Sequence, residues 1–237
     1  MAIATALGYD DLPRLLTLQT GDEKHDFSSL STLDVLWVLY DRILGPDDRF
    51  LLSKGHGPTA YYAVLAAKGL IPVDILSTFG AFDSPLGNHP DHVLVPGVEL
   101  SSGSLGHGLP IAVGRALAGA PGRRFPIRHT RGPDPESCIS PGSGRRVFVL
   151  VGDGELDEGS NWEAVQYAGR IRLANLTAVA IDNDSSTYGW PGGIEQRFEV
   201  EGWSVVRADG RDHDALERAF EQRHDDQPHL VVAEVNE

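Results

Sequence analysis

The sequence predicts an α/β fold, in which a mostly parallel sheet carries helices on both faces. Its second half alternates between short apolar runs, typical of strands buried on both faces, and segments with helical periodicity. The predicted strands cover residues 147–151, 176–182, 202–209 and 229–235, and the predicted helices cover residues 161–173 and 214–222. Because parallel neighbours are joined by a crossover that is usually a helix, this alternation indicates a parallel sheet.

The first half contains two clear helical patterns. Residues 31–44 place apolar side chains on one helical face, and Gly45-Pro46 is expected to end that helix. Residues 58–68 form the second pattern, with a proline in the first turn and Gly69 just past its end. We therefore expect two helices before the predicted sheet begins.

Two further segments are distinguished by their composition. Residues 103–119 have a helical pattern rich in glycine and alanine, which indicates either close approach of another backbone or ligand, or merely a tightly packed helix. Residues 121–145 are rich in Pro, Gly, Ser and Arg without any period, so we expect a loop insertion there. Together with the sheet, these features predict a single domain over residues 1–237.

Composition and charge exclude several classes of partner. The net charge of −14 argues against nucleic acid and against an anionic membrane surface. The chain has one cysteine, Cys138, which fits a reducing compartment, and no apolar stretch of the length of a membrane span. The first residues lack a basic start followed by an apolar run, so no signal peptide is expected. These observations predict a soluble cytoplasmic protein.

An aspartate between two glycines follows the predicted strand 147–151. Asp153 lies in the stretch VGDGELDEGSNWE, and Asn183 follows 30 residues later, at the end of the next predicted strand. If those strands are parallel neighbours, both side chains reach the same edge of the sheet, where ligands bind in such folds. Gly152 and Gly154 would allow a ligand to approach the main chain closely.

Carboxylate and amide oxygens are the ligands that Mg²⁺ and Ca²⁺ prefer. Asp153 would therefore hold a divalent cation that bridges to a phosphorylated ligand. The alternative is an acidic turn that only caps a helix. Ser160 and Glu163 have the spacing of a capping box, and we expect them to open the helix between the two strands.

Four motifs in family order resemble the transketolase family of thiamine-diphosphate enzymes. GDGELDEGSNWEA followed by IDND is similar to the thiamine-diphosphate signature. LSKGHGPTAYYAVLAAKG (52–69), PGVELSSGSLGHGL (96–109) and GWSVVRADGRDHDALERAF (202–220) resemble further family segments. The resemblance extends from about residue 25 to 233 and implies the thiamine-diphosphate-binding fold, the PP domain.

The resemblance also implies roles for individual residues. The metal ligands would be Asp153, Asn183 and the main-chain carbonyl of Ser185. The cofactor-binding residues would be His56, Gly103, Leu105, Gly152, Asp153, Gly154, Glu155 and Asn183. The catalytic residues would be His25, His56, His89 and Glu158; the first and third would contact a ketose donor, and the last would link cofactor sites across a subunit interface.

The chain departs from the family pattern mainly where a donor would bind. The glycine-rich segment of the family reads HDFSS (25–29) here, which puts the bulky Phe27 at a normally small position. G-H-P-E appears as NHPD (88–91), and the usual glutamine between the last glycines of the third motif is His107. These changes concern the donor more than the cofactor.

Thiamine chemistry in this family needs a glutamate beside the aminopyrimidine, which a second domain supplies. The chain ends VNE, and we expect it to be the diphosphate-binding subunit of a split enzyme with a pyrimidine-binding partner, in an α₂β₂ assembly. The expected activity is transfer of a two-carbon unit from a ketose-type donor to an aldehyde-type acceptor, with thiamine diphosphate and Mg²⁺ or Ca²⁺. Two alternatives stay open: an acyloin-forming subunit that uses pyruvate or another 2-oxo acid, and a non-catalytic interaction protein.

Overall fold

The computed structural model describes residues 7–21, 26–119, 145–187 and 191–235. The strands of this part of the chain are β1 (Arg49–Leu52), β2 (Val147–Gly152), β3 (Leu176–Asp182), β4 (Ser204–Asp209) and β5 (His229–Glu234). Its α-helices are α1 (Leu12–Thr17), α2 (Asp26–Leu30), α3 (Leu33–Val38), α4 (Thr59–Ala67), α5 (Gly108–Gly119), α6 (Gly159–Arg170), α7 (Gly193–Glu199) and α8 (His213–Glu221).

The strands form one parallel sheet in the order β1-β2-β3-β5-β4. The predicted parallel sheet is confirmed, and so are the strands that the apolar runs predicted. Strand β1 was not predicted; it pairs with residues 147–150 of β2. Four residues are too few to show a period, and only the pairing with β2 identifies them as a strand.

Each strand of the sheet centre sends alternate side chains into two cores. From β2, Phe148 and Leu150 enter the core shared with α1, α3, α4 and α8, whereas Val149 and Val151 enter the core shared with α5, α6 and α7. Both cores are buried, which explains why the strands are continuously apolar instead of alternating. Helices therefore cover both faces, as predicted.

The observed helices refine the predicted ones. The pattern at 31–44 forms α3 followed by a π-helical segment, Leu39–Ile43, and the pattern at 58–68 forms α4. The glycine-rich segment becomes helical only at Gly108, where a β-carbon would lie 2.2 Å from Ser53 Oγ. Close approach of another segment therefore explains this glycine.

The predicted capping box at the start of α6 is wrong. The N-cap residue is Glu158, and the Ser160 hydroxyl donates instead to the Gly106 carbonyl at 2.7 Å. Because the Ser160 hydroxyl is bonded to this distant loop, it does not cap the helix. The predicted loop insertion at 121–145 lies, apart from Arg145, outside the described residues.

Within the described ranges, no helix combines the length and the apolar character that crossing a bilayer requires.

His229 at the start of β5 is expected to make the stability of the fold sensitive to mild acid. Its ring is buried, with Nε2 2.9 Å from the Ala219 carbonyl and Nδ1 3.1 Å from Ser204 Oγ. These partners fit a neutral ring that donates from Nε2 and accepts at Nδ1. Burial lowers the pKa of His229 below its ordinary value, so the unfolded chain binds the proton more readily.

We therefore expect the free energy of unfolding to fall as pH decreases below about 6.5, and His229→Gln to reduce this dependence. Urea unfolding of both proteins at about pH 7.5 and about pH 5.5 measures the difference. An unchanged pH dependence in the variant would contradict the assignment.

Candidate functional site

The carboxyl ends of β2 and β3 bring the predicted metal ligands to one edge of the sheet. Gly152 pairs with Ile181, and the Asp153 amide donates to the Ile181 carbonyl at 3.0 Å. Asp153 and Asn183 therefore leave neighbouring parallel strands in the same direction. In parallel sheets this edge is where ligands bind.

Asp153 organises the loop that follows β3. Its carboxylate is 2% exposed and accepts hydrogen bonds from the amides of Gly154 at 2.8 Å, Ser185 at 2.7 Å and Ser186 at 3.0 Å, and from the Ser185 hydroxyl. Asp184 in this loop has a left-handed backbone, with a φ of 58°. One buried carboxylate thus holds the strand end and the candidate ligand Ser185 in a single unit.

Asn183 has one half of its amide satisfied and one half without a partner. Its Nδ2 donates to Ser31 Oγ at 3.2 Å, whereas its Oδ1 is buried and has no hydrogen-bond partner. A buried acceptor without a donor is costly, and ordered water, a ligand or an ion can satisfy such an atom. An amide oxygen beside a carboxylate fits Mg²⁺ or Ca²⁺.

The described residues contain no cluster of three or more His, Cys, Asp or Glu side chains that could hold a metal ion. A cation at this edge would therefore depend on one carboxylate, one amide and main-chain oxygen. That donor set matches the predicted ligands, and it suits a hard cation that keeps other ligands from water or phosphate.

Glu155 joins three segments around the site. Its buried carboxylate accepts hydrogen bonds from Ser53 Oγ, from the Gly106 amide at 3.0 Å and from the Gly152 amide at 3.3 Å. Burial raises its pKa, and these donors act in the opposite direction. Glu155 was expected to lie close to the diphosphate; the structure shows its carboxylate tying the loop around Gly106 to the ends of β1 and β2.

Lys54, just after β1, is a buried cation that was not among the predicted site residues. Its Nζ donates to the Ser28 carbonyl at 2.6 Å and to Ser31 Oγ at 3.0 Å. Its stem lies against Gly152, where a β-carbon would be 3.1 Å from Lys54 Cδ. Desolvation lowers the pKa of Lys54 to about 8, although Asp153 and Glu155 oppose the shift. In the sequence, the position of this lysine between an apolar run and a glycine could have identified it as a candidate site residue.

The structure brings His56 and His89 together. Their ring centroids are 5.0 Å apart in an edge-to-face arrangement, and the Ser28 hydroxyl donates to the His56 carbonyl at 3.4 Å. Gly103 lies under the second ring, since a β-carbon there would be 2.8 Å from His89 Cδ2. The two histidines and Gly103 therefore form one surface, the histidine surface, and His56 connects it to the carboxyl end of β1.

The remaining candidates lie around the loop before α5. Leu105 is half-buried, and Glu158 is exposed. Gly106 has a φ of 81° and packs against Glu158, where a β-carbon would lie 2.7 Å from the Glu158 Cβ. His25 lies outside the described residues.

Comparison with known proteins identifies the family. The family described as "Transketolase, thiamine diphosphate binding domain" matches residues 23–235. "Ferredoxin fas2" of Rhodococcoides fascians is 51% identical, over 98% of this chain and 73% of that protein. An apulose-4-phosphate transketolase subunit of Actinobacillus succinogenes is 36% identical, over 88% of this chain and 75% of that protein.

A solved transketolase from Leishmania mexicana has the same fold, with a TM-score of 0.71 at 23% identity. The match covers 97% of this chain and 37% of the Leishmania chain, so this chain spans little more than a third of that transketolase. The predicted fold and the predicted family are thus both confirmed. The chain belongs to the transketolase family, in which it matches the thiamine-diphosphate-binding domain.

Proposed function

We propose that this chain is the diphosphate-binding subunit of a two-component, thiamine-diphosphate-dependent transketolase-like enzyme. It would transfer a two-carbon unit from a ketose-type donor to an aldehyde-type acceptor. The observation that carries the proposal is the placement of Asp153 and Asn183 just after the carboxyl ends of neighbouring parallel strands, together with a buried Asn183 Oδ1 that has no hydrogen-bond partner. The proposal takes residues 1–237 as a single domain.

The site has groups suited to a cation that holds a diphosphate. Asp153, Asn183 and the Ser185 carbonyl would ligate Mg²⁺ or Ca²⁺. The three backbone amides that donate to the Asp153 carboxylate hold the loop in its fold, so we expect them to stay in place when a cation binds. The Ser185 hydroxyl can rotate away, and we expect the cation to replace its hydrogen bond to Asp153. Because the chain carries a net charge of −14, the diphosphate needs such a cation to bind near a carboxylate.

The glycines allow the cofactor to approach the main chain. Gly152 and Gly154 border the cation site, and Gly103 and Leu105 would lie against the thiamine rings. Glu155 acts through the loop around Gly106, which it anchors by the 3.0 Å bond from that amide. When bound, thiamine diphosphate supplies a nucleophilic carbon that adds to the donor carbonyl.

The histidine surface would contact the donor. His56 and His89 can donate hydrogen bonds to sugar hydroxyl groups and, for His56, reach the diphosphate; His25 would extend this set. Glu158 is exposed, and we propose that it finds its hydrogen-bond partner on a second polypeptide. The Actinobacillus relative is named as one subunit of a transketolase, which supports a partner polypeptide here; we propose a pyrimidine-binding partner and an α₂β₂ assembly.

Reconstitution tests the reaction. The chain, a co-expressed pyrimidine-binding polypeptide, thiamine diphosphate and Mg²⁺ are incubated with an aldehyde acceptor and either a ketose phosphate or pyruvate. We expect products lengthened by two carbons from the ketose donor, detected by mass spectrometry. Product formation from pyruvate with release of CO₂ would instead establish the acyloin-forming alternative. Cofactor binding without any product from either donor would contradict both enzymatic hypotheses.

Phe27 supports the acyloin-forming alternative, because it puts a bulky side chain into the segment 25–29, where the family has a small residue and a donor would bind. We expect Phe27→Gly to shift the donor preference toward ketose phosphates, measured as the ratio of kcat/KM values for the two donors. An unchanged ratio would place donor selection in the partner polypeptide. Reactions without that polypeptide serve as the control.

A further inference from the structure

Ser31 lies behind Asn183 at the centre of a small buried hydrogen-bond network. Its Oγ is 3.2 Å from Asn183 Nδ2, 3.0 Å from Lys54 Nζ and 2.9 Å from the Ser28 carbonyl oxygen. Lys54 Nζ also contacts the same Ser28 carbonyl at 2.6 Å. Ser31 is 1% exposed and Lys54 7% exposed, so water has little access to these two side chains.

The chemistry of the outer groups determines the direction of each hydrogen bond. An ammonium group only donates and a carbonyl oxygen only accepts. The Ser31 hydroxyl therefore accepts from Lys54 and donates its single hydrogen to the Ser28 carbonyl. What remains at Ser31 Oγ is a lone pair, which can only receive a donor from the Asn183 amide.

This lone pair selects one of the two orientations of the amide. With Nδ2 toward Ser31, Oδ1 points to the other side, where it is buried and has no partner. The flipped amide would put two acceptor atoms in contact and leave the NH₂ group at the predicted cation site. The hydrogen-bond network therefore determines which end of the Asn183 amide is oxygen and which is nitrogen, because the two ends have nearly the same shape.

We propose that Ser31 and Lys54 are positioning residues that hold Asn183 Oδ1 toward the cation of the diphosphate site. Neither side chain touches the cation; both act through the Asn183 amide. The inference rests on the proposed function, because it concerns the same cation site. It also connects that site to α2, whose Ser28 carbonyl accepts from both positioning residues.

The first test is the affinity for Mg²⁺ of the assembled enzyme in saturating thiamine diphosphate, measured by calorimetric titration. Ser31→Ala removes the lone pair and should weaken Mg²⁺ binding by roughly 10- to 100-fold, as other changes behind a metal ligand do. Ser31→Thr keeps the hydroxyl and should restore most of the affinity. Wild-type affinity in Ser31→Ala would overturn the proposal.

Thr32→Val is the matched control. The Thr32 hydroxyl donates to the Ser29 carbonyl at 2.6 Å, as the Ser31 hydroxyl does to the carbonyl three residues before it, and Thr32 is also buried. Among the described residues, Thr32 makes no hydrogen bond to the side chain of Asn183 or Lys54. We expect this variant to lose stability without a change in Mg²⁺ affinity. An equal loss of Mg²⁺ affinity in both variants would show a general packing effect and overturn the proposal.

Lys54→Met separates positioning from charge, and it does not depend on Ser31→Ala folding. Loss of a positive charge beside Asp153 should by itself tighten Mg²⁺ binding. Loss of the donor frees the Ser31 hydroxyl to turn its hydrogen toward Asn183, which should weaken Mg²⁺ binding. We expect weaker binding; tighter binding would overturn the role of Lys54.

Asn183→Asp, combined with Ser31→Ala, gives a double-mutant cycle for the orientation of the amide. A carboxylate presents an oxygen to the cation in either orientation, so Ser31→Ala should have little further effect on Mg²⁺ affinity in this background. A full additional loss would contradict the orientation argument. Failure of the wild-type enzyme to bind Mg²⁺ with thiamine diphosphate would instead refute the proposed function, a result distinct from failure of the inference.

Discussion

Asp153→Ala is expected to abolish binding of thiamine diphosphate. The substitution removes the only carboxylate among the proposed cation ligands, and it leaves the amides of Gly154, Ser185 and Ser186 without their acceptor. The loop that carries Ser185 then loses its anchor together with the cation. Since changes behind a ligand already cost about 10- to 100-fold, we expect a loss of more than about 100-fold here. Asn183→Ala should weaken binding strongly but less.

The matched control is Asp157→Ala in the same turn. Asp157 is half-buried and accepts only from the Ser186 hydroxyl, with distances of 3.3 Å to both carboxylate oxygens, among the bonds described. We expect it to keep most of the cofactor affinity. Calorimetric titration of the assembled protein with Mg²⁺ present measures both variants, and circular dichroism without cofactor checks that each is folded. Full affinity of the wild type in excess chelator would refute a cation-dependent site.

The second expected result is that this chain alone does not activate the cofactor. Exchange of the C2 proton of thiamine diphosphate with D₂O should be undetectable with the chain alone and fast after addition of the pyrimidine-binding partner. The family match is to the diphosphate-binding domain, and this chain covers 75% of the Actinobacillus relative that is named as a transketolase subunit. Activation of the aminopyrimidine would then depend on the partner.

The carboxylates near the site support this expectation. Glu155 is buried and already accepts from Ser53, Gly106 and Gly152, so we expect it to hold these segments together instead of contacting a pyrimidine nitrogen. Asp153 is similarly enclosed by the loop after β3. Glu158 is exposed and would be costly to bury unpaired, which is why we expect its partner across an interface between polypeptides.

Proton exchange followed by NMR after acid quench measures the effect. A mixture that contains Asp153→Ala in place of the wild-type chain serves as the control and should stay inactive. Exchange at C2 catalysed by the homogeneous chain without a partner would contradict the two-component proposal.

The sequence alone was sufficient for the central sheet and for the position of its ligand edge. Continuous apolar runs identified β2, β3 and β5, because strands covered by helices on both faces have no polar face. The helical crossover between the two runs favoured β2 and β3 as parallel neighbours, which the structure shows, and this was enough to place Asp153 and Asn183 at one edge. The short strand β1 was missed because its four residues become a strand only by pairing with β2.

Only the tertiary structure decided how the site is supported. Ser53 and Glu155 are 102 residues apart in sequence, and Ser31 and Asn183 are 152 apart, yet each pair is hydrogen-bonded. Other long-range contacts act in the same way. The Ser160 hydroxyl donates to the Gly106 carbonyl instead of capping α6, and Lys54 Nζ donates to the Ser28 carbonyl. The physical reason is that an unpaired buried polar group is costly, and sequence spacing does not specify which distant donor or acceptor the fold brings into reach.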